Sequence, residues 1–424
     1  MRAVLILNAD ALPASALESD LKQAGAHVLG ATNCEELVQD TIRWKPDVIV
    51  AVTANPGAAL FAATALLASA HPTAVAVFTD DVRVESMEQA LASGIHAWVV
   101  RGYEAGRLRS ELQLAQLRFV RDHQQQLAIR ELAKRLEERK LVDRAKGILM
   151  DTGAMAEDEA FRTLRAAAME GKERVGQVAQ RLIDAARNAE AINRAGQLRM
   201  LSQRLVKLHL LDLLGVEPQS AAALRALSVD RLGENLAVLE GLVSPATFGD
   251  LLDGCRSAWE SLAPALGRTA GDAALAQIDA GAEQLLDAAE RLTAALESAS
   301  PVARMQVVNL AGRQRMLAQR YAKLALQQAQ AGAGERTALA ARRDTAQRDF
   351  ERALQALEQS PLTAPKARAL LLTAAQAWAR LRDSALRADE AGGRLALARS
   401  SEELLEVFDT LTEDYEHSLQ VLVG

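Results

Sequence analysis

The stretch Ile192-Asn193-Arg194-Ala195-Gly196-Gln197-Leu198-Arg199-Met200-Leu201-Ser202-Gln203-Arg204 recurs as Val308-Asn309-Leu310-Ala311-Gly312-Arg313-Gln314-Arg315-Met316-Leu317-Ala318-Gln319-Arg320. A lysine trails each copy, Lys207 and Lys323. Asn, Ala-Gly, Arg-Met-Leu and Gln-Arg keep their relative positions at one constant offset. A repeat of this kind constrains the fold more than any local propensity, because two copies of one module should fold alike. The likeness continues downstream. Leu236–Glu240 recurs as Leu354–Glu358, Ser257–Leu262 parallels Gln376–Leu381, and Glu283–Leu286 parallels Glu402–Leu405.

Each copy carries four helical stretches in the same order. Gly215/Pro218, Ser244-Pro245 and Gly267–Gly271 punctuate the first copy; Gly332/Gly334, Pro361/Pro365 and Gly392-Gly393 punctuate the second. Two antiparallel four-helix bundles, at 189–300 and 301–424 and joined near Pro301, are the economical reading.

At 424 residues the chain predicts two to four domains. Half the residues are hydrophobic but only 3% are aromatic, and Ala and Leu dominate, which favours long packed helices. A net charge of −6 confines any nucleic-acid site to a local patch. Cys34 and Cys255 offer neither a disulfide framework nor a zinc spacing, and the six histidines lack metal-ligand spacing. No metal is expected. No apolar run approaches the roughly eighteen residues of a membrane span. Met1–Leu7 soon meets Asn8 and Asp10 and reads as a buried strand, not a signal peptide. The expectation is a soluble, cytoplasmic protein with no membrane partner.

In residues 1–120 short apolar runs alternate with amphipathic segments. Val4–Leu7, Val48–Val52, Ala74–Phe78 and Ala97–Val100 read as strands, with helices at 14–24 and 84–93. Such alternation predicts a parallel sheet covered on both faces. The segment Lys45-Pro46-Asp47-Val48-Ile49-Val50-Ala51-Val52-Thr53 resembles the third strand of response-regulator receiver domains. The resemblance puts Val52 at the phosphate-accepting position, Thr79 at the family's hydroxyl, and Arg101 at its lysine. The acidic pair after the first strand is reduced to Asn8, Ala9 and Asp10. Phosphoryl transfer needs a carboxylate nucleophile and acids to hold Mg²⁺, and valine supplies neither. A pseudo-receiver used for dimerisation or docking follows, with no phosphorylation.

A charged, Leu- and Gln-rich connector helix is expected over 104–130, with Gln124-Gln125-Gln126 as a polar break. Residues 131–188 then give three amphipathic pieces punctuated by Gly153 and Gly171, a compact three-helix unit. Its core is expected to include Leu149, Phe161, Leu164 and Met169. Ala145-Lys146-Gly147-x-Leu149-Met150, followed by Ala160-Phe161-x-x-Leu164-Arg165, closely resembles the ANTAR domain. That family binds paired RNA stem-loops in leader transcripts and prevents transcription termination. Charge alone is a modest guide, with seven basic and four acidic residues from Arg130 to Lys146. Lys146 and Arg165 fall on matched positions. Arg139, Lys140 and Arg144 join them as RNA-contact candidates by charge and neighbourhood.

On its helix, Arg199 has Ala195 and Gly196 one turn before it and Ser202 and Gln203 one turn after, so small residues leave room around it. Copy two repeats this around Arg315. Glycine inside a helix costs about 1 kcal/mol relative to alanine. Keeping one at both equivalent positions points to close approach of a helix or a ligand. A buried arginine needs a counter-charge, and no acid neighbours the motif equivalently in both copies. Exposed arginines, or arginines paired with acids from other helices, would satisfy the same pattern. So would one planar anion between facing guanidinium forks.

Asn-x-Ala-Gly-x-x-Arg-Met-x-x-x-Arg resembles the nitrate-recognition box of membrane nitrate/nitrite sensor kinases. It also resembles the nitrate-sensing (NIT) domain of ANTAR antiterminators and the sensory domain of type IV pili chemotaxis transducers. The resemblance implies that Arg199 and Arg315 hold the anion, supported by Asn193, Gly196, Met200, Gln203, Asn309, Gly312, Met316 and Gln319. Here the output unit precedes the sensor.

The expectation is therefore a mostly α chain: an N-terminal α/β receiver-like domain, a three-helix ANTAR unit and two tandem four-helix bundles. Its function would be nitrate- or nitrite-responsive antitermination of nitrate-assimilation genes. The anion is its effector, with no cofactor; leader RNA with paired stem-loops is its partner. RNA polymerase is reached only indirectly, and a homodimer is expected. A second reading makes the C-terminal half a ligand-free protein-interaction module. No nucleophile–base set, metal cluster or phosphate-cradling loop suggests an enzyme.

Overall fold

The computed structural model describes residues 2–8, 14–102, 104–153, 155–267, 272–299, 305–360 and 365–423. Ala9, Asp10, Gly271, Pro301 and Pro361, named above as sequence signals, lie outside them. The described chain is mostly helical, with one sheet near its N-terminus. It divides into two compact units, Met1–Glu137 and Glu138–Gly424.

The first unit holds β1 (Arg2–Leu7), α1 (Ala14–Gln23), β2 (Ala26–Thr32), α2 (Leu37–Trp44), β3 (Val48–Thr53), α3 (Ala58–Ala70), β4 (Ala74–Thr79), α4 (Val84–Ala92) and β5 (Ala97–Val100). All strands are parallel, in the order β2-β1-β3-β4-β5. β3 and β4 are almost wholly buried, as central parallel strands must be when helices cover both faces. One apolar cluster lies on each side of the sheet. The expected strands are present, but β2 is additional. It is an edge strand in which His27 and Gly30 interrupt any apolar run.

The division between units falls within α5 (Leu108–Gly153), which continues without interruption through Gln124-Gln125-Gln126. The glutamines break an apolar stripe but are good helix formers, so the expected break is only in the pattern.

The second unit begins with a three-helix cluster. The end of α5, α6 (Glu157–Gly171) and the start of α7 (Val175–Leu213) bury Ala145, Leu149, Leu164, Val178 and Leu182 together. α6 ends with Lys172 in the left-handed conformation, φ 54°. Phe161 and Met169 correct the expected core, being 42% and 72% exposed. Ala160, Leu164 and Ala168, spaced by four, define the buried face of α6. Phe161 and Met169 each follow one of these by a single residue, about 100° around the helix.

α7 does not end with this cluster. It runs on through the first repeat motif, so one helix carries both the ANTAR-like packing residues and Arg199. Leu182 and Arg199 are separated by roughly 25 Å at 1.5 Å per residue. The first repeat continues with α8 (Pro218–Leu242), α9 (Pro245–Leu266) and α10 (Asp272–Ala299). The second comprises α11 (Met305–Gln330), α12 (Ala333–Glu358), α13 (Pro365–Ala385) and α14 (Ala391–Val423). Pro218 and Pro245 occupy first turns, where the missing N–H has no intrahelical partner to lose.

The motif helices α7 and α11 make the most extensive helix–helix packing, and α10 and α14 pack beside them. One continuous apolar core runs through all eight helices. On α10, Ile278, Ala282, Leu285, Ala289 and Leu292 form its buried stripe at helical spacing. Among the described residues no helix is long and apolar enough to cross a membrane.

Candidate functional site

The repeat motifs meet at the centre of the helical unit. Arg199 and Arg315 are each 1% exposed and are the largest fully buried side chains. Arg199 donates from Nη1 to Glu290 Oε2 at 2.6 Å and from Nη2 to Asn309 Oδ1 at 2.7 Å. Arg315 mirrors it, donating from Nη1 to Asp409 Oδ1 and from Nη2 to Asn193 Oδ1, both at 2.6 Å. The asparagine of each copy thus holds the arginine of the other. Asn309 is itself fixed by donating from Nδ2 to Glu297 Oε2 at 2.5 Å.

The glycines bring the two guanidiniums close. A methyl group on Gly196 would lie 3.2 Å from Arg199 Nη2 and 3.8 Å from Arg315 Nη2. One on Gly312 would lie 3.1 Å from Arg315 Nη2. Two cations therefore converge where a Cβ is missing. Among the described residues, Nε of each arginine is buried without a hydrogen-bond partner. Buried N–H groups are rarely left unmatched, so each orphan donor calls for an acceptor. Burial weighs against the charge on Arg199, and nearby Arg313 and Arg315 add to that, while Glu290 favours it. Burial alone would raise the Glu290 carboxyl, but Arg199 and Arg313 outweigh it and hold the group below its ordinary value.

A second ion-pair tier lies two turns along each motif helix. Lys207, fully buried, donates to Glu402 at 2.5 Å and Ser401 at 2.9 Å, and Arg204 joins the same carboxylate. Lys323, equally buried, donates to Glu283 at 2.7 Å and Asp279 at 2.8 Å, with Arg320 on Glu283 at 2.9 Å. These pairs cross between repeats, tying α7 to α14 and α11 to α10.

The arginines are thus paired with acids from other helices. No equivalent acids stand beside the motif in sequence; the paired acids stand on each repeat's fourth helix. Glu283, Glu290 and Glu297 recur every seven residues on α10, and Glu402 and Asp409 keep the same spacing on α14. That spacing places acids on one helix face and was the available signal.

The structure gathers Arg199, Arg315, Asn193, Asn309, Gly196 and Gly312 at one place. Met200 and Met316 instead lie in the apolar core. Gln319 donates to the Ser401 carbonyl at 2.8 Å and Gln203 contacts Ser202 at 3.3 Å.

The RNA-contact candidates fall in two groups. Arg139, Lys140, Arg144 and Arg165 are exposed. Lys146 is clamped between Asp143 and Glu157, both at 2.7 Å, and ties α5 to the first turn of α6. In the sheet unit, Val52 lies opposite Phe78 in the ladder and offers no nucleophile. Thr79 donates to the Ala54 carbonyl at 3.3 Å and accepts from the Asp81 N–H at 3.1 Å. Arg101 is exposed, with φ 66°.

Comparison with known proteins gives this arrangement a class. The ANTAR domain model matches residues 130–183. A model described as the N-terminal region of type IV pili methyl-accepting chemotaxis transducers matches twice, over 183–304 and 294–404. The two matches take in more than half of the chain, which therefore belongs to that family and joins its duplicated region to an ANTAR domain. The chain is similar to the transcriptional regulatory protein PdtaR of Mycobacterium tuberculosis. The proteins of strains CDC 1551 / Oshkosh and H37Rv are each 29% identical over 184 residues, 43% of this chain and 90% of the relative.

Proposed function

We propose that the chain is a nitrate- or nitrite-responsive antiterminator in which one anion, held between Arg199 and Arg315, controls RNA binding by the ANTAR unit. The observation that carries this reading is the pair of buried guanidiniums, each with an orphaned Nε, converging beside two glycines. A flat oxyanion presents acceptors in the plane of each fork and offsets the repulsion between the two cations. Glu290 and Asp409 balance the charge from the Nη1 side, leaving the Nε edges to the ligand. Transmission needs no separate linker, because α7 carries both Arg199 and the third helix of the ANTAR packing unit. The exposed Arg139, Lys140, Arg144 and Arg165 supply the RNA contacts, with Lys146 holding the helices that present them.

The direct test is RNA binding. Nitrate should change the affinity of the full chain for a two-hairpin leader RNA by about 100-fold, the differential that shifts a two-state balance by roughly 2.7 kcal/mol. Equal RNA affinity with and without nitrate or nitrite would sink the proposal.

Gly196→Ala separates ligand recognition from stability. Alanine should favour the helix by up to about 1 kcal/mol, yet the new methyl displaces the Arg199 donor edge. The expected result is an unchanged or higher melting temperature with nitrate affinity at least about tenfold weaker, or roughly 1.4 kcal/mol. Wild-type affinity in calorimetry would contradict the placement of the ligand.

A further inference from the structure

A groove of about 750 Å³ opens in the second unit where α5, α7 and α8 meet, with Glu413 of α14 at its edge. Arg144, Arg187, Arg194 and Arg231 line it, against the acids Asp151, Glu190 and Glu413. A volume of this size far exceeds what a trigonal anion needs. The geometry points to a phosphate-binding track: we propose that RNA held by the ANTAR unit continues into this groove, so that the first sensor repeat contacts RNA directly.

Three observations support this occupant. First, Arg187, Arg194 and Arg231 are set in place by bonds that leave part of each guanidinium for a ligand. Arg187 donates from Nε to the Leu242 carbonyl at 2.8 Å and from Nη2 to that of Gly241 at 2.6 Å. These lie at the C-terminal end of α8, where carbonyls lack intrahelical donors and favour a cation. Arg231 donates from Nε to Gln197 Oε1 at 3.1 Å; Arg194 donates from Nη1 to Asn235 Oδ1 at 3.0 Å and from Nη2 to Glu190 Oε1 at 3.4 Å. Asn235 completes the lattice by donating to the same Gln197 oxygen at 3.0 Å. Such support holds a fork ready for phosphate oxygens.

Second, the groove begins on an RNA-contact candidate. Arg144 lies on the ANTAR segment of α5, so the basic track continues from the proposed RNA surface onto α7 and α8. Arg144, Arg187 and Arg231 are exposed. Third, the groove shares a wall with the anion site. Asn193 lines it while its Oδ1 accepts from Arg315. Arg194 and Gln197 face the groove from the α7 turn that also carries Gly196. Rearrangement at the arginine pair would therefore move groove residues directly.

This inference rests on the ANTAR unit binding RNA, and the test separates the two. Affinity of the full chain for a fluorescent two-hairpin RNA is measured across a salt series, with thermal unfolding as the folding control. Each lost phosphate contact lowers the slope of log affinity against log salt by about 0.7–0.9. The double variant Arg187→Glu/Arg231→Glu should bind at least about tenfold more weakly, with a slope smaller by roughly 1.4–1.8. Arg231→Gln, which keeps a donor near Gln197, should lose about one contact's worth of slope while melting like wild type. Unchanged affinity and slope in these variants, with RNA binding lost in Arg139→Glu/Arg165→Glu, overturns the groove and leaves the ANTAR reading standing. AMP binding that disappears in the double variant while RNA affinity holds also overturns it, in favour of a small nucleotide. Failure of the wild-type chain to bind any such RNA, with or without nitrate, overturns both readings.

Discussion

Arg199→Ala should abolish nitrate binding, and Arg315→Ala should do so to the same extent. The two guanidiniums converge on one point beside Gly196 and approach it from different repeats, so neither repeat holds a complete donor set. Each charge-assisted hydrogen bond contributes about 1.5–3 kcal/mol. Loss of one fork, with two such bonds, therefore weakens binding by more than 100-fold. Lysine at either position keeps the charge but places a single ammonium where two coplanar donors are required, so Arg199→Lys should not rescue. Stability should fall far less than affinity. Glu290, the carboxylate left behind, has a side chain 37% exposed and can rehydrate. Calorimetric titration with nitrate, beside thermal unfolding of the same variants, checks this. Wild-type affinity in either single variant would show that the anion does not bridge the repeats.

The same geometry explains how a small ligand could act over a long distance. The proposed anion site is not at the tip of a separate domain but midway along α7, whose first turns belong to the ANTAR packing cluster. The Arg199–Asn309 and Arg315–Asn193 bonds are reciprocal, so a change at one fork alters the grip of both repeats. A helix of this length transmits rotation or translation as a body, because its core-facing side chains are packed along its whole buried face.

Much of this is legible in the sequence, and what is not depends on packing. The repeat, the punctuating prolines and the arginine with its small-residue face all follow from local spacing, which a helix converts directly into geometry. Gly196 and Gly312 could be read as close-approach positions because glycine carries a propensity cost that something must offset. What the sequence could not show was which distant carboxylate reaches a given cation. Glu290 is 91 residues from Arg199, and Glu402 is 195 from Lys207. Only the packing of α10 and α14 against the motif helices selects them. For Phe161 and Met169 the reason is smaller: apolarity is not burial, and a one-residue offset turns each side chain out of the core.

Glu402→Ala should be the most destabilising single change in the helical unit, costing about 3–5 kcal/mol. Lys207 is wholly buried and would keep only the Ser401 hydroxyl, while Arg204 would lose the same carboxylate. The equivalent change in the other repeat should be milder, because Lys323 retains Asp279 when Glu283 is removed. The difference between Glu402→Ala and Glu283→Ala, measured by denaturant unfolding, tests the tier without reference to any ligand. The acid limb carries the same information. Burial alone would raise the Glu402 carboxyl, but the charges and hydrogen bonds of Lys207 and Arg204 outweigh it and bring the pKa to about 2. A carboxyl whose folded pKa lies below its unfolded value adds stability above the unfolded pKa and loses it as pH falls toward the folded one. The contribution should be full above about pH 5, fade between there and about pH 2, and amount to roughly 3 kcal/mol. Glu402→Gln keeps the shape and removes the titration, so its unfolding free energy should be flatter across that range than the wild type's. An equally steep acid limb in Glu402→Gln would place the titrating group elsewhere. Equal costs for Glu402→Ala and Glu283→Ala would show that Asp279 does not share the charge of Lys323.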